Sequence, residues 1–355
     1  MTVKTVNFHF MENHEQYMHR CIQLAANAAG DTYPNPMVGS VIVYGDRIIG
    51  EGWHRRAGEP HAEVNAINSV RQPELLKGST LYVSLEPCAH YGKTPPCAVR
   101  IVQEGIPRVV IGAMDPNVQV NGKGKKILED AVIEVTAGVL EKECLHLNRR
   151  FFTFQTKNRP YIILKWAQTA DGFLDNNFQP AAISNSLVRT LTHRMRAGEN
   201  AILVGTRTAL NDNPSLTTRE IPGANPVRVL IDLDLKVPKM FNIFSGEATT
   251  LVFNLHQDAK EANVEWIKVY REDLIPDILK SLAERKIQSV IVEGGLFTLQ
   301  QFINHKLWDE AMVITNDRLY FGGGTAAPQL STEAAAEEIY RDNRIAHYIN
   351  HPYGV

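Results

Sequence analysis

Short apolar runs alternate with stretches of helical period along the whole chain, and this alternation restricts the fold more than any other feature. Residues 14–30 set Met18, Cys21, Ile22, Ala25 and Ala29 on one side, which predicts an amphipathic helix closed by glycine. Residues 38–44 and 47–53 predict a hairpin around Gly45-Asp46. Pro60 suits the first turn of a helix that carries His61, Glu63, Val64 and Ile67. Strand 81–85, helix 98–104, strand 108–112, helix 125–131 and one more short strand follow, so an α/β layered domain is expected. A mixed polar stretch, 145–159, separates this pattern from the apolar run at 161–166, and a boundary is expected near residue 148, giving domains 1–147 and 148–355. The second domain repeats the alternation, with strands at 161–167, 200–205, 227–232, 249–254, 288–292 and 308–315 and helices near 186–197, 273–285 and 296–304. At 355 residues, two domains each burying a core are expected rather than one.

The balance of 37 Lys and Arg against 39 Asp and Glu gives a net charge of -2, which supplies no general attraction to nucleic acid. No stretch has the apolar length of a membrane span, and the first residues lack the basic-then-apolar pattern of a secretory signal, so a cytoplasmic enzyme is expected. The four cysteines are too few and too scattered for a disulfide framework. Cys21 and Cys144 are expected in the core, which leaves Cys88 and Cys97 for metal or catalysis.

His61, Cys88 and Cys97 supply one imidazole and two thiolates, a set that suits tetrahedral zinc with one position open. Zinc lowers the pKa of bound water, and Glu63 can take that proton and pass it to a ring nitrogen and departing ammonia. His-x-Glu followed by Pro-Cys and a second Cys is the zinc deaminase signature. Here eight residues separate the cysteines where the general form has two. A closed structural site with His90 as the fourth ligand is the alternative, and it gives Glu63 no task. A nucleic-acid deaminase also fits the motif, but no basic, aromatic-interleaved stripe supports it.

Three stretches, Thr32-Tyr33-Pro34-Asn35-Pro36-Met37-Val38-Gly39, Gly58-Glu59-Pro60-His61-Ala62-Glu63-Val64 and the run from Leu85 through Pro87-Cys88 to Cys97, resemble the deaminase domain of the bifunctional riboflavin-biosynthesis deaminase–reductase family. Asp115-Pro116-Asn117 adds to the likeness. The resemblance implies a cytidine-deaminase-like three-layer fold and places Asn35, His54, His90 and Lys93 around a phosphorylated pyrimidine.

In the second domain no Gly-x-Gly-x-x-Gly follows a strand, and Val292-Glu293-Gly294-Gly295 opening a helix is by itself a weak phosphate signal. Residues 161–172, 196–219 and 291–301 resemble the reductase domain of the same family, implying a dihydrofolate-reductase-like fold and NADPH. The resemblance assigns Ala167, Thr208, Asp212, Gly295, Leu296, Phe297, Thr298, Leu299, Gln300 and Gln301 to the cofactor, and Arg196, Leu216, Arg219 and Glu293 to the substrate. Asp212 is a candidate for protonating or positioning the reacting ribosylamine, with an Asx turn before Pro214 as the alternative and Lys165 as a second group for handling charge. Where the family commonly has Trp-Ile-Thr or Trp-Ile-Ser, this chain has Ala182-Ile183-Ser184, so a looser cofactor pocket is expected. The reading is therefore a homo-oligomeric, two-step enzyme for a small phosphorylated pyrimidine, using Zn2+ and NADPH, with no nucleic-acid or membrane partner. A monofunctional deaminase with an inactive or regulatory second domain is the alternative.

Overall fold

The structure, a computed structural model, describes residues 6–91, 95–116 and 121–350. The chain divides into two compact units between Lys157 and Asn158. The division lies beyond the expected boundary at 148 because the polar stretch folds as helix α6 (Arg149–Lys157), which belongs to the first unit.

The first unit carries α1 (Val6–Ala26), the hairpin β1 (Gly39–Tyr44) and β2 (Arg47–Trp53), α2 (Ala62–Ser69), β3 (Thr80–Leu85), α3 (Cys97–Gln103), β4 (Arg108–Ala113), α4 (Lys123–Asp130), β5 (Glu134–Ala137) and α5 (Glu141–Leu147) before α6. Its sheet runs β2-β1-β3-β4-β5, antiparallel on the hairpin side and parallel from β3 to β5. The two-residue period of the strands makes both faces apolar. Ile42, Leu81, Val83, Val109 and Ile111 pack on one face with Ala66 and Ile67 of α2, Ile101 of α3 and Leu128 of α4. Val41, Val43, Tyr82 and Val110 pack on the other with Met18 and Cys21 of α1 and Cys144 of α5. This is the expected three-layer deaminase-like domain, with Cys21 and Cys144 in its core. Each fully buried aliphatic side chain contributes about 1.5–3 kcal/mol, which offsets the ordering of short strands.

The second unit adds β6 (Tyr161–Thr169), α7 (Ser186–Gly198), β7 (Ala201–Gly205), α8 (Thr206–Asp212), β8 (Val227–Ile231), β9 (Thr250–Asn254), β10 (Ala259–Glu261), β11 (Val264–Lys268), α9 (Leu274–Glu284), β12 (Ser289–Gly294), α10 (Leu296–Asn304), β13 (Glu310–Asn316), β14 (Ala336–Tyr340) and β15 (Asn343–Ile349). They form one sheet in the order β10-β11-β9-β8-β7-β12-β6-β13-β15-β14, parallel from β11 to β13 and antiparallel at both ends. Ile162, Leu164, Leu203, Val229, Val290 and Val292 pack on one face with α9 and α10, and Ile202, Val204, Leu230, Val252 and Ile291 on the other. Arg159 closes a two-pronged pair on Asp309 at 2.6 and 2.7 Å, and Asp309 also accepts the Ile162 amide at 2.8 Å, which fixes the start of β6 beside β13. The expected strands and helices are all found. The structure adds α8, β10, β11, β14 and β15, whose sequences are short or polar and show no clean period.

Candidate active sites

In the first unit, glycine decides where α2 can lie. A Cβ on Gly52 of β2 would stand 2.4 Å from the Ala66 amide nitrogen and 2.7 Å from the Ala62 carbonyl oxygen, so the helix rests directly on strand backbone. That approach fixes the helix start, where His61 is the extended N-cap residue and Glu63 lies buried in the first turn. Cys88 follows the end of β3, and Cys97 opens α3 with its amide donating to the Cys88 sulfur at 3.2 Å. The result is three donors, His61 Nδ1, Cys88 Sγ and Cys97 Sγ, within 4.8 Å of one another.

Two edges of this triangle measure 3.6 Å, from Cys88 Sγ to His61 Nδ1, and 3.4 Å, from Cys97 Sγ to the same nitrogen. Zinc bonds of about 2.3 Å to sulfur and 2.0 Å to nitrogen at tetrahedral angles give an edge of about 3.5 Å, so the donor set fits zinc. Hydrogen bonding from the Cys97 thiol, together with His61 and the Cys97 amide, holds the Cys88 thiol well below its ordinary range, as a metal-ligating thiolate requires. His90 is exposed and lies outside this donor group, so the closed four-ligand alternative is not built. Lys93 lies outside the described residues, as does Asn117.

Glu63 is 3% exposed, and burial raises its carboxyl to about 7, which lets it hold or release a proton near neutrality. Beside it, the His54 and His61 rings stand edge to face with centroids 5.3 Å apart. His54 Nδ1 lies 3.2 Å from the Pro60 carbonyl oxygen and must donate to it, which leaves Nε2 to accept from Asn35 Nδ2 at 3.1 Å. Burial lowers the His54 pKa and favours this neutral form. Asn35 is held through its neighbour: Asn148, 3% exposed, accepts from the Met37 amide and donates to the Met37 carbonyl oxygen, each at 2.8 Å. Glu86 plays a similar part near Cys88, accepting from the amides of Asp115, Gly122 and Lys125 at 3.0–3.3 Å. Nothing in the local sequence marks Asn148 or Glu86, since bonds to partners 29 to 111 residues away leave no local pattern.

In the second unit a cleft of about 1440 Å³ opens at the carboxyl ends of β6, β7, β8 and β12, the usual place for a ligand on a parallel sheet. Its lining includes Ala167, Thr208, Asp212, Arg196, Leu216, Glu293 and the whole run Gly295–Gln301. Arg219 is not in that lining; its backbone amide donates to His193 Nδ1 and its guanidinium reaches Thr217 Oγ1 at 3.4 Å. The turn before Pro214 is tied by Asn213, which bonds twice to Asn242. Asp212 ends α8, and its partly enclosed surroundings, then the charge of Asp175, push its carboxyl above the usual range.

Glu293 is the electrostatic centre of the cleft. Burial alone would raise its pKa, yet Lys165 at 3.7 Å and Arg196 at 3.0 Å hold it below the ordinary range. Arg196 Nε remains buried with no partner among the described residues. Close by, α10 begins at Gly295 with no side-chain cap, and Gly294 takes φ 117, a backbone setting that favours glycine. A Cβ on Gly205 would come within 2.6 Å of Thr298 Oγ1, so glycine there lets the end of β7 pass against α10. An uncapped helix start beside glycines and a buried cation fits the phosphates of a dinucleotide.

Comparison with known proteins agrees with both units. Residues 160–339 match the family described as RibD C-terminal domain, and residues 11–113 match the cytidine and deoxycytidylate deaminase zinc-binding region. Riboflavin biosynthesis protein RibD of Aquifex aeolicus is 39% identical over 332 residues, covering 92% of each chain. The chain belongs to the RibD family. The Escherichia coli RibD is 34% identical over 92% of each chain. A Thermotoga maritima structure titled a diaminohydroxyphosphoribosylaminopyrimidine deaminase/5-amino-6-(5-phosphoribosylamino)uracil reductase superposes with a TM-score of 0.88 at 37% identity, covering 96% of this chain and 99% of that one. Acinetobacter baumannii RibD gives 0.86 at 30% identity. As a RibD-family enzyme the chain carries both a deaminase and a reductase domain, and no observation favours the monofunctional alternative. No helix among the described residues is long and apolar enough to cross a membrane.

Proposed function

We propose that the chain hydrolyses the ring amino group of diaminohydroxyphosphoribosylaminopyrimidine and then reduces the ribosyl group of the product with NADPH. The observation that carries the first step is the convergence of His61, Cys88 and Cys97 within 4.8 Å beside the buried Glu63. These three side chains would hold zinc, which when bound supplies the Lewis acidity that makes water a nucleophile at neutral pH. Glu63 takes one proton from the attacking water and passes it to the ring nitrogen, then carries the second proton of that water to the departing amino group, which leaves as ammonia. Asn35, its amide oriented by the neutral His54, presents a fixed hydrogen-bonding group to the ring, while Lys93 and His90 meet the rest of the substrate.

For the second step, NADPH when bound supplies hydride to the ribosyl carbon, whose bond to the ring oxygen breaks as that oxygen gains a proton. The amides at the start of α10, Thr208 and Ala167 orient the cofactor. Arg196, Leu216, Glu293 and Lys165 hold the substrate in the cleft, and Asp212, with its raised pKa, carries the exchangeable proton. Two cationic side chains suit the sugar phosphate.

Metal removal separates the two steps. Chelation is expected to abolish ammonia release and zinc addition to restore it, while NADPH oxidation with the already deaminated nucleotide continues unchanged. Ammonia release that survives loss of all bound metal contradicts the proposed deaminase chemistry.

A further inference from the structure

The cleft of the second unit has an exposed aromatic ring whose backbone carries a steric cost. Asn176 and Gln179 exchange both backbone hydrogen bonds at 3.0 Å, closing a two-residue turn over Asn177 and Phe178. Both central residues have positive φ, 49° and 66°, the setting of a mirror-image hairpin turn in which glycine is the favoured second residue. Phenylalanine there meets a clash that glycine avoids, and its side chain gains little burial in exchange, since Phe178 is 68% exposed. Local backbone strain with so little packing return points to a task for the side chain.

The turn is also held in place. Asp175 accepts from the amides of Phe178 at 2.8 Å and Thr325 at 3.0 Å, and Asn177 donates to the Gly323 carbonyl oxygen at 3.2 Å. The ring so presented lines the same cleft as Asp212, Glu293 and the α10 start. Ala181 and Ala182, both exposed, line the same cleft with small side chains, which leaves room in it for a flat group. Phe297 is exposed in the same lining, but it sits in α10, where a side chain carries no such backbone cost.

We infer that Phe178 is a stacking platform for a planar heterocycle in the reductase cleft, either the nicotinamide ring or the pyrimidine ring, and so determines how tightly one of them is held. The inference rests on the reductase reading proposed above. An apolar ring set rigidly at the rim can cover one face of a flat ring without adding a charge near the Glu293 cluster.

The test compares the full zinc-loaded chain with its Phe178→Gly and Phe178→Tyr variants. It measures NADPH dissociation constants by quenching of nicotinamide fluorescence, KM for the deaminated nucleotide, and the unfolding temperature. Glycine removes the ring and relieves the backbone, so Phe178→Gly is expected to leave the unfolding temperature unchanged or raised while weakening one ligand by about fivefold to tenfold. Phe178→Tyr keeps a ring face and restores the constant. A raised NADPH dissociation constant identifies nicotinamide as the stacked ring; a raised KM with unchanged NADPH binding identifies the pyrimidine. Both constants within twofold of the unaltered chain, or a lowered unfolding temperature in Phe178→Gly, overturn the inference. An unaltered chain that binds no NADPH overturns the reductase reading, and the platform with it.

Discussion

Glu63→Gln is expected to lower ammonia release by about a hundredfold to ten-thousandfold, the range associated with losing a positioned general acid–base. The substitution preserves shape and removes only the exchangeable proton. Its site is buried, and burial holds the native carboxyl at about 7, so no bulk water can take over the shuttle at a comparable rate. Metal content should be unchanged, because His61, Cys88 and Cys97 form a complete donor set without the carboxylate. NADPH oxidation with the deaminated nucleotide should also be unchanged. Metal analysis and an ammonia assay on the same sample separate a lost proton carrier from a lost site. Near-normal turnover in Glu63→Gln would remove the basis for the deaminase mechanism.

Glu293→Gln should have the largest effect in the second unit. Lys165 and Arg196 are 14% and 12% exposed at their side chains and share this single carboxylate, so the substitution leaves two enclosed cations without a counter-charge. Breaking a buried pair from one side costs about 3–5 kcal/mol, and the open cleft moves the expectation to about 3 kcal/mol. For a unit of this size that lowers the unfolding temperature by roughly 6–12 °C. NADPH-dependent turnover should fall by at least about a hundredfold, since the two cations lose the geometry in which they meet substrate. The pH dependence has a definite sign. Glu293 is held below its ordinary pKa, so its stabilisation is complete above the ordinary carboxylate range and is lost as pH falls through the lower folded value. The variant should therefore lose part of the acid limb of the stability profile. An unchanged unfolding temperature and an unchanged acid limb would show that the cluster contributes no net stability.

The layered α/β organisation was legible because the strands are short apolar runs bounded by turn residues, and Ile42, Leu81, Val83 and Val109 follow the pleat closely. The additional strands of the second unit were not legible for the same reason inverted. β14, Ala-Glu-Glu-Ile-Tyr, is an edge strand with mostly exposed side chains, so burial leaves no alternation on it. Helix α8 is too short and polar to show a period, which is why Asp212 was open to an Asx-turn reading. At the metal site the three donors stood out because few side-chain combinations serve zinc, and their convergence depends on Gly52 letting α2 lie on β2. Residues that act through backbone, Asn148 on Met37 and Glu86 on the Asp115–Lys125 segment, have no sequence pattern of their own. Phe178 belongs with them, because its turn geometry, not its identity, marks it.

Deamination and then reduction by one chain can be followed in a single sample. The direct measurement adds the diamino-pyrimidine ribosylamino phosphate to purified zinc-loaded protein, follows ammonia, then adds NADPH and follows loss of the reduced nicotinamide absorbance. Ammonia release followed by NADPH oxidation in equal amount is the predicted result. Ammonia without NADPH oxidation, or oxidation that proceeds without prior ammonia release, contradicts it.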